Sequence, residues 1–275
     1  MSQLPKTELS SKQNRIFRIL AVGDVVGKSG LDFIKSNLWK IRNEQKADLV
    51  IVNGENSAPG NGITKMSADT LFMSGADVIT TGNHVFRRNE VYSYLDDNEK
   101  VLRPANYPKS SPGFGHGVFD FGGVKVLVMN LLGTVYMDSL ECPFGTAERI
   151  LERENGNYDI AVCDIHAEAT SEKISFAHYF DGKITAVFGT HTHVQTSDAK
   201  VLQQGTGFIT DLGMTGPYDS VLGVKKENVI KKLVEKMPVR FEEAVGKAFF
   251  NGAVFEIDLD AKKTIGVRAL QILDN

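Results

Sequence analysis

The residues best suited to chemistry here are histidines, carboxylates and amides that follow short apolar runs. His191 and His193 lie in Gly189-Thr190-His191-Thr192-His193, directly after the apolar residues 184–188. On an extended backbone, residues i and i+2 point to one side. The spacing therefore predicts two imidazoles aimed at one spot, with Gly189 letting the chain turn. Imidazole suits zinc, iron, nickel and copper. Alone, a His-x-His in a surface loop usually binds nothing. Asp24, Glu55, Asn56, Asn83, His84 and His166 also follow apolar runs, and together they raise the signal.

The intervals between them matter. Asp24 to Glu55 is 31 residues and Glu55 to Asn83 is 28, each close to one strand–helix–strand unit of about 30 residues. Strands linked in this way are parallel. Their carboxyl ends lie side by side, where open α/β sheets place ligands. His166 to His191 is 25 residues, a shorter crossover of the same kind. Two carboxylates, two amides and four imidazoles are thereby expected at one edge. Such a set suits two metal ions with a carboxylate between them, an arrangement typical of phosphatases and nucleases. Two divalent ions, less Asp24, Glu55 and one hydroxide, leave a single positive charge. That matches the single negative charge of a phosphodiester, since bound ions dominate local electrostatics.

The elements that position these residues follow from periodicity. Apolar runs predict strands over 17–22, 47–52, 77–80, 158–165, 184–188 and 207–210. Leu31, Ile34, Leu38 and Ile41 recur at helical spacing. Further helices are expected over 67–73, 146–154, 171–180 and 228–237. Two hairpins are expected: 118–121 with 124–129 across Gly122-Gly123, and 248–258 with 264–273 across Asp260 to Lys263. No repeat or linker interrupts them. The expected organisation is a tail over residues 1–15, disordered, and one α/β domain over 16–275 with two stacked sheets flanked by helices.

Composition bounds the function. The chain has 275 residues, 42% apolar and 24% charged, with a formal net charge of −3. This argues against a broad nucleic-acid surface. No apolar run approaches the roughly 20 residues of a membrane span, and the polar start has no secretory h-region. With two cysteines, Cys142 and Cys163, no disulfide framework is expected, and the cytoplasm is the expected compartment.

The series Gly23-Asp24, Gly54-Glu55-Asn56, Gly82-Asn83-His84, His166 and Gly189-Thr190-His191-Thr192-His193 resembles the calcineurin-like metallophosphoesterases, and more closely their bacterial YmdB-like family. Arg103-Pro104-Ala105-Asn106-Tyr107-Pro108, the segment 164–173 and the segment 210–223 match that family too. The resemblance implies a four-layer α-β-β-α sandwich with two divalent transition-metal ions, iron or manganese, with zinc as the alternative. It implies Asp24, Asn56 and His193 on one ion, Asn83, His166 and His191 on the other, and Glu55 bridging. His84 would protonate the leaving group. The implied activity is phosphodiester hydrolysis, including that of 2′,3′-cyclic nucleotides. A small phosphorylated substrate is then the expected partner, and a homo-oligomer is left open. Two departures stand out. Val26 occupies the position of a histidine in the wider superfamily, where Asn56 takes over as ligand. Val85-Phe86-Arg87 stands where the close family often has Thr-Trp-Asp, which bears on how His84 is oriented.

Each residue also has a plainer reading. Asp24 alone would be a helix cap, His166 alone a hydrogen-bonded core histidine, and Glu55-Asn56 solvated loop polars. Cys163 reads as a buried thiol, His116 as a solvent-facing loop residue and His178 as structural. Ser171-Glu172-Lys173 reads as a charged first turn of a helix. Asp211 and Asp219 read as pocket-shaping residues outside the ligand set. Competing activities are a phosphomonoesterase on the same site and a regulator that binds a phosphorylated ligand without turnover.

Overall fold

The computed structural model describes residues 15–274. The expected tail, apart from Arg15, lies outside the described residues. In chain order the strands and helices are β1 (Ile16–Val22), β2 (Asp24–Val25), α1 (Gly27–Gln45), β3 (Leu49–Asn53), α2 (Lys65–Met73), β4 (Val78–Thr80), α3 (Tyr92–Asp97) and β5 (Val101–Leu102). There follow β6 (His116–Phe121), β7 (Val124–Leu132), α4 (Pro143–Arg153), β8 (Ile160–His166), α5 (Thr170–Tyr179) and β9 (Ala186–Thr190). The chain ends with β10 (Lys200–Val201), β11 (Gly207–Ile209), β12 (Met214–Pro217), α6 (Lys226–Glu235), β13 (Ala248–Asp258) and β14 (Lys263–Leu273).

One sheet runs β2-β12-β13-β1-β3-β4-β5, with β14 beside β13. The other runs β10-β11-β9-β8-β7-β6. β1, β3, β4 and β5 are mutually parallel, as are β7, β8, β9 and β11. Parallel strands covered on both faces are apolar throughout, and β3, β4 and β8 are buried along their whole length.

Alternation along the strands produces the layers. In β1, Leu20 and Val22 pack with Phe33, Ile34 and Leu38 of α1. Ile19 and Ala21 instead meet Val126, Val162 and Phe188 of the other sheet. Beyond that sheet, Cys163 and Val187 pack with Phe176 and Phe180. The order is α-β-β-α, as expected. Burying a side chain such as Ile19 contributes about 1.5–3 kcal/mol.

Two features missing from the sequence expectations are the helix α3 and the short edge strands. α1 also begins at Gly27, before its apolar repeat. The loop after β3 is pinned at its far end by a reciprocal cap on α2. Ser67 N–H donates to Thr64 Oγ1 (3.2 Å), and Thr64 N–H donates to Ser67 Oγ (3.0 Å). Such caps contribute about 1 kcal/mol, here on the segment that carries Glu55. No described helix is long and apolar enough to cross a membrane.

Candidate metal centre

All eight singled-out residues gather at the carboxyl ends of the strands. Asp24 follows β1 and opens β2, Glu55 and Asn56 follow β3, and Asn83 and His84 follow β4. His166 ends β8, and His191 and His193 follow β9.

In one half of the cluster, His166 Nε2 faces three groups: Asn83 Oδ1 at 3.0 Å, His191 Nδ1 at 3.0 Å and Glu55 Oε1 at 3.3 Å. Atoms of Glu55, His166 and His191 all lie within 4.8 Å of one another. In the other half, His193 Nε2 lies 3.7 Å from Asp24 Oδ1 and 3.4 Å from Asn56 Nδ2. Glu55 lies between the halves and also accepts from Asn56 Nδ2 (2.9 Å) and His84 N–H (3.2 Å).

Each of the three histidines is held at its other nitrogen by an outer acceptor. His166 Nδ1 meets Thr190 Oγ1 (2.8 Å), which donates onward to Asp164 Oδ1 (2.7 Å). His191 Nε2 meets Glu168 Oε2 (3.0 Å), and His193 Nδ1 meets the Leu222 carbonyl (3.1 Å). Ligating histidines are oriented and polarised by this kind of partner.

The cluster is short of positive charge. Asp24 is fully buried and its Oδ1 has no hydrogen-bond partner. Burial pushes the Asp24 carboxyl up, against the pull of His193 and His166. Burial acts on Glu55 in the same direction, but His166 and His84 outweigh it and hold that carboxyl well below its usual value. Burial would lower His166, yet Glu55 and Asp24 raise it to about 9. Burial and then the neighbouring His166 lower His191 to about 3. The chemistry of the donors, imidazole with carboxylate and amide oxygen, fits iron, manganese or zinc. Gly82 keeps the space open, since a Cβ there would fall 2.3 Å from both Glu55 Oε2 and His166 Nε2. Asn56 fits less directly. Its Nδ2 faces the cluster while its Oδ1 meets His84 Nδ1 (3.0 Å), so oxygen ligation requires the amide reversed.

The histidine pair departs from the extended geometry expected of it. β9 ends at Thr190, and His191 (φ 100) and His193 (φ 64) both adopt left-handed backbone. Their imidazoles serve opposite halves of the cluster instead of one spot. Non-glycine residues in such conformations need surrounding structure to hold them. Here Asp211 accepts from Thr192 N–H (3.1 Å), Thr192 Oγ1 (2.8 Å) and Gly213 N–H (2.8 Å), and Lys173 Nζ anchors it at 2.6 Å. Lys173 also donates to the Thr190 carbonyl (2.9 Å). Gly189 is required here, because a Cβ would sit 1.9 Å from the Thr210 carbonyl oxygen.

Lys173 lies in the first turn of α5, the helix start expected there. It is fully buried, and Glu172 is buried too, accepting from Thr134 N–H (2.9 Å) and Val135 N–H (3.2 Å). Sequence reasoning missed Lys173, Thr190, Asp164 and Glu168 as supports of the site. Asp211 gave the one usable signal, since it follows a strand as the site residues do. Asp219 is exposed and paired with Lys226. His116 is partly buried at the start of β6 and faces Glu154 (3.4 Å), in place of the expected solvent-facing loop. Val85-Phe86-Arg87 leaves His84 in the cluster. Val85 is buried in the core, and Phe86 packs edge-on against Tyr92 and Tyr107. His84 Nδ1 also lies 3.3 Å from Glu55 Oε1.

Known proteins share this fold over nearly the whole chain. The chain is 42% identical over 258 residues to a 2′,3′-cyclic-nucleotide 2′-phosphodiesterase of Bacillus subtilis (strain 168), covering 94% of this chain and 98% of that protein. A crystal structure of a protein from Thermus thermophilus superposes with a TM-score of 0.89 at 39% identity, over 94% of this chain and 100% of that one. A crystal structure of a phosphatase from Mycoplasma pneumoniae gives 0.90 at 34% identity, over 95% of each chain. Residues 20–270 match the YmdB-like protein family, and the chain belongs to that family.

Proposed function

We propose that this protein is a metal-dependent phosphodiesterase that hydrolyses 2′,3′-cyclic nucleotides. The observation that carries the reading is the set of three histidines, each fixed at one nitrogen by an outer acceptor and each turning its other nitrogen into the cluster, His166 toward Glu55, His193 toward Asp24 and His191 toward His166. The Bacillus subtilis relative's named activity supports the substrate class.

Asp24, Asn56 and His193 would hold one divalent ion, Asn83, His166 and His191 a second, with Glu55 shared. Iron or manganese is favoured and zinc is the alternative. Two such ions would supply a strong nucleophile from water at neutral pH and neutralise charge on the phosphoryl oxygens. The chain's own residues do the rest. Glu55, held ionised by its neighbours, keeps charge between the two halves. His84 is pinned through Nδ1 against Asn56 and Glu55. Its role is to give a proton to the departing ribose oxygen. General acids of this kind contribute about 10²–10⁴-fold. With only two acidic ligands, the loaded site retains net positive charge, which suits a singly charged diester.

The test compares metal-stripped and manganese-reconstituted protein on 2′,3′-cyclic nucleotides and on bis- and mono-nitrophenyl phosphate. The expected result is metal-dependent turnover of the diesters, with the monoester much slower. Faster monoester turnover would favour the phosphomonoesterase, and binding without turnover would favour the regulator.

A further inference from the structure

A cavity of about 590 Å³ opens beside the candidate metal centre, and His193 lines it. Its volume lies in the range of small-molecule sites. Another cavity, of about 740 Å³, is lined by Arg103, Arg149 and Arg153 but by none of the candidate ligands. His193 links the smaller cavity directly to the cluster. A third hollow beside His193, of about 170 Å³, falls below the size of small-molecule sites, so a phosphoester held at the cluster would extend into the opening of about 590 Å³.

The walls have an unusual character for a surface hollow. Val194 (60% exposed), Tyr218 (61%) and Leu222 (48%) all line it. The Tyr218 ring is steadied edge-on by Phe249, with centroids 5.7 Å apart at 85°. An aromatic face held in this way offers a stacking surface for any base. Opposite chemistry comes from amides. Gln195 spends its Nε2 on three backbone carbonyls, those of Leu212, Gly252 and Leu270. Gln271 makes one side-chain hydrogen bond among the described residues, from Nε2 to Asn251 Oδ1 (3.0 Å). Asn251 is itself fixed by donating to the Met214 carbonyl (2.9 Å). Gln271 is thereby oriented, with its carbonyl and its second N–H left for a ligand. A glutamine amide can pair in this way with the edge of a base.

We propose that this cavity is the nucleobase subsite, with Tyr218 stacking on the base and Gln271 reading its edge. The proposal rests on the phosphodiesterase reading above.

The experiment measures kcat and KM of manganese-loaded protein on 2′,3′-cyclic AMP, 2′,3′-cyclic CMP and glycerol 1,2-cyclic phosphate. The last compound has the cyclic diester without a base. Wild-type protein should prefer the nucleotides in kcat/KM. Tyr218→Ala should lose roughly tenfold on the nucleotides, mainly through KM, as expected for a lost stacking partner. Its loss on the glycerol ester should be far smaller. Tyr218→Phe keeps the ring and should resemble wild type. Gln271→Leu should change the ratio between the two nucleotides severalfold. Equal losses on nucleotide and glycerol ester, or no loss in Tyr218→Ala, would overturn the subsite and leave the phosphodiesterase reading standing. Wild-type protein inactive on all three diesters would overturn that reading, and the subsite with it.

Discussion

His166 Nδ1 lies 2.8 Å from Thr190 Oγ1, and this contact decides which ring nitrogen faces the candidate metal centre. Thr190 donates its own proton to Asp164, so it accepts from His166 and leaves Nε2 to the cluster. Thr190→Val removes the acceptor at almost constant volume. Affinity for manganese should fall about 10–100-fold, the usual cost of losing an outer partner. Thr190→Ser should restore most of it. Calorimetric titration of the metal-stripped variants checks both.

Lys173 and Asp211 form a fully buried pair at 2.6 Å. Lys173→Met would leave the Asp211 carboxylate without its counter-charge. Breaking one side of a buried pair costs about 3–5 kcal/mol, and urea unfolding of metal-free protein should show a loss of that size. Lys173→Met with Asp211→Asn should recover part of it, because contacting residues are not additive.

Burial holds the Cys163 thiol well above its ordinary value. A raised thiol pKa means less reactive thiolate at a given pH. At pH 8 iodoacetamide should therefore spare Cys163 in the folded protein. Cys142 is exposed and should be alkylated. Peptide mass analysis should find one modified site in native protein and two in urea.

His84→Ala should affect poor leaving groups far more than good ones. A ribose alkoxide needs a proton as it departs, whereas a nitrophenolate leaves with little help. The variant should lose about 10²–10⁴-fold on a 2′,3′-cyclic nucleotide and much less on bis-nitrophenyl phosphate, with metal content unchanged. Equal losses on both substrates would make His84 a phosphate-orienting residue.

The strands and the gathering of Asp24, Glu55, Asn83, His166 and His191 were legible because each follows an apolar run at a βαβ interval. The four layers were legible for a related reason. Two sets of buried parallel strands must stack, and helices must cover their outer faces. The supports were hidden. Lys173 sits in a helix beside Glu172 and looks solvated, and only the fold brings Asp211, 38 positions later, to its amine. The left-handed backbone of His191 and His193 was equally hidden. Local spacing on a strand predicts one shared face, while tertiary hydrogen bonds from Thr192 to Asp211 decide the actual path. Val85-Phe86-Arg87 could not be placed from sequence either, because Phe86 is explained by distant Tyr107.

One cluster should hold two metal ions, with Glu55 between them. Anomalous diffraction at the manganese edge, on crystals of reconstituted protein, tests it most directly. Two peaks per chain are expected, about 3.5–4 Å apart. One should be bounded by Asp24, Asn56 and His193, the other by Asn83, His166 and His191, with a Glu55 oxygen at both. A single peak at full manganese saturation, or a second ion outside these residues, would contradict it.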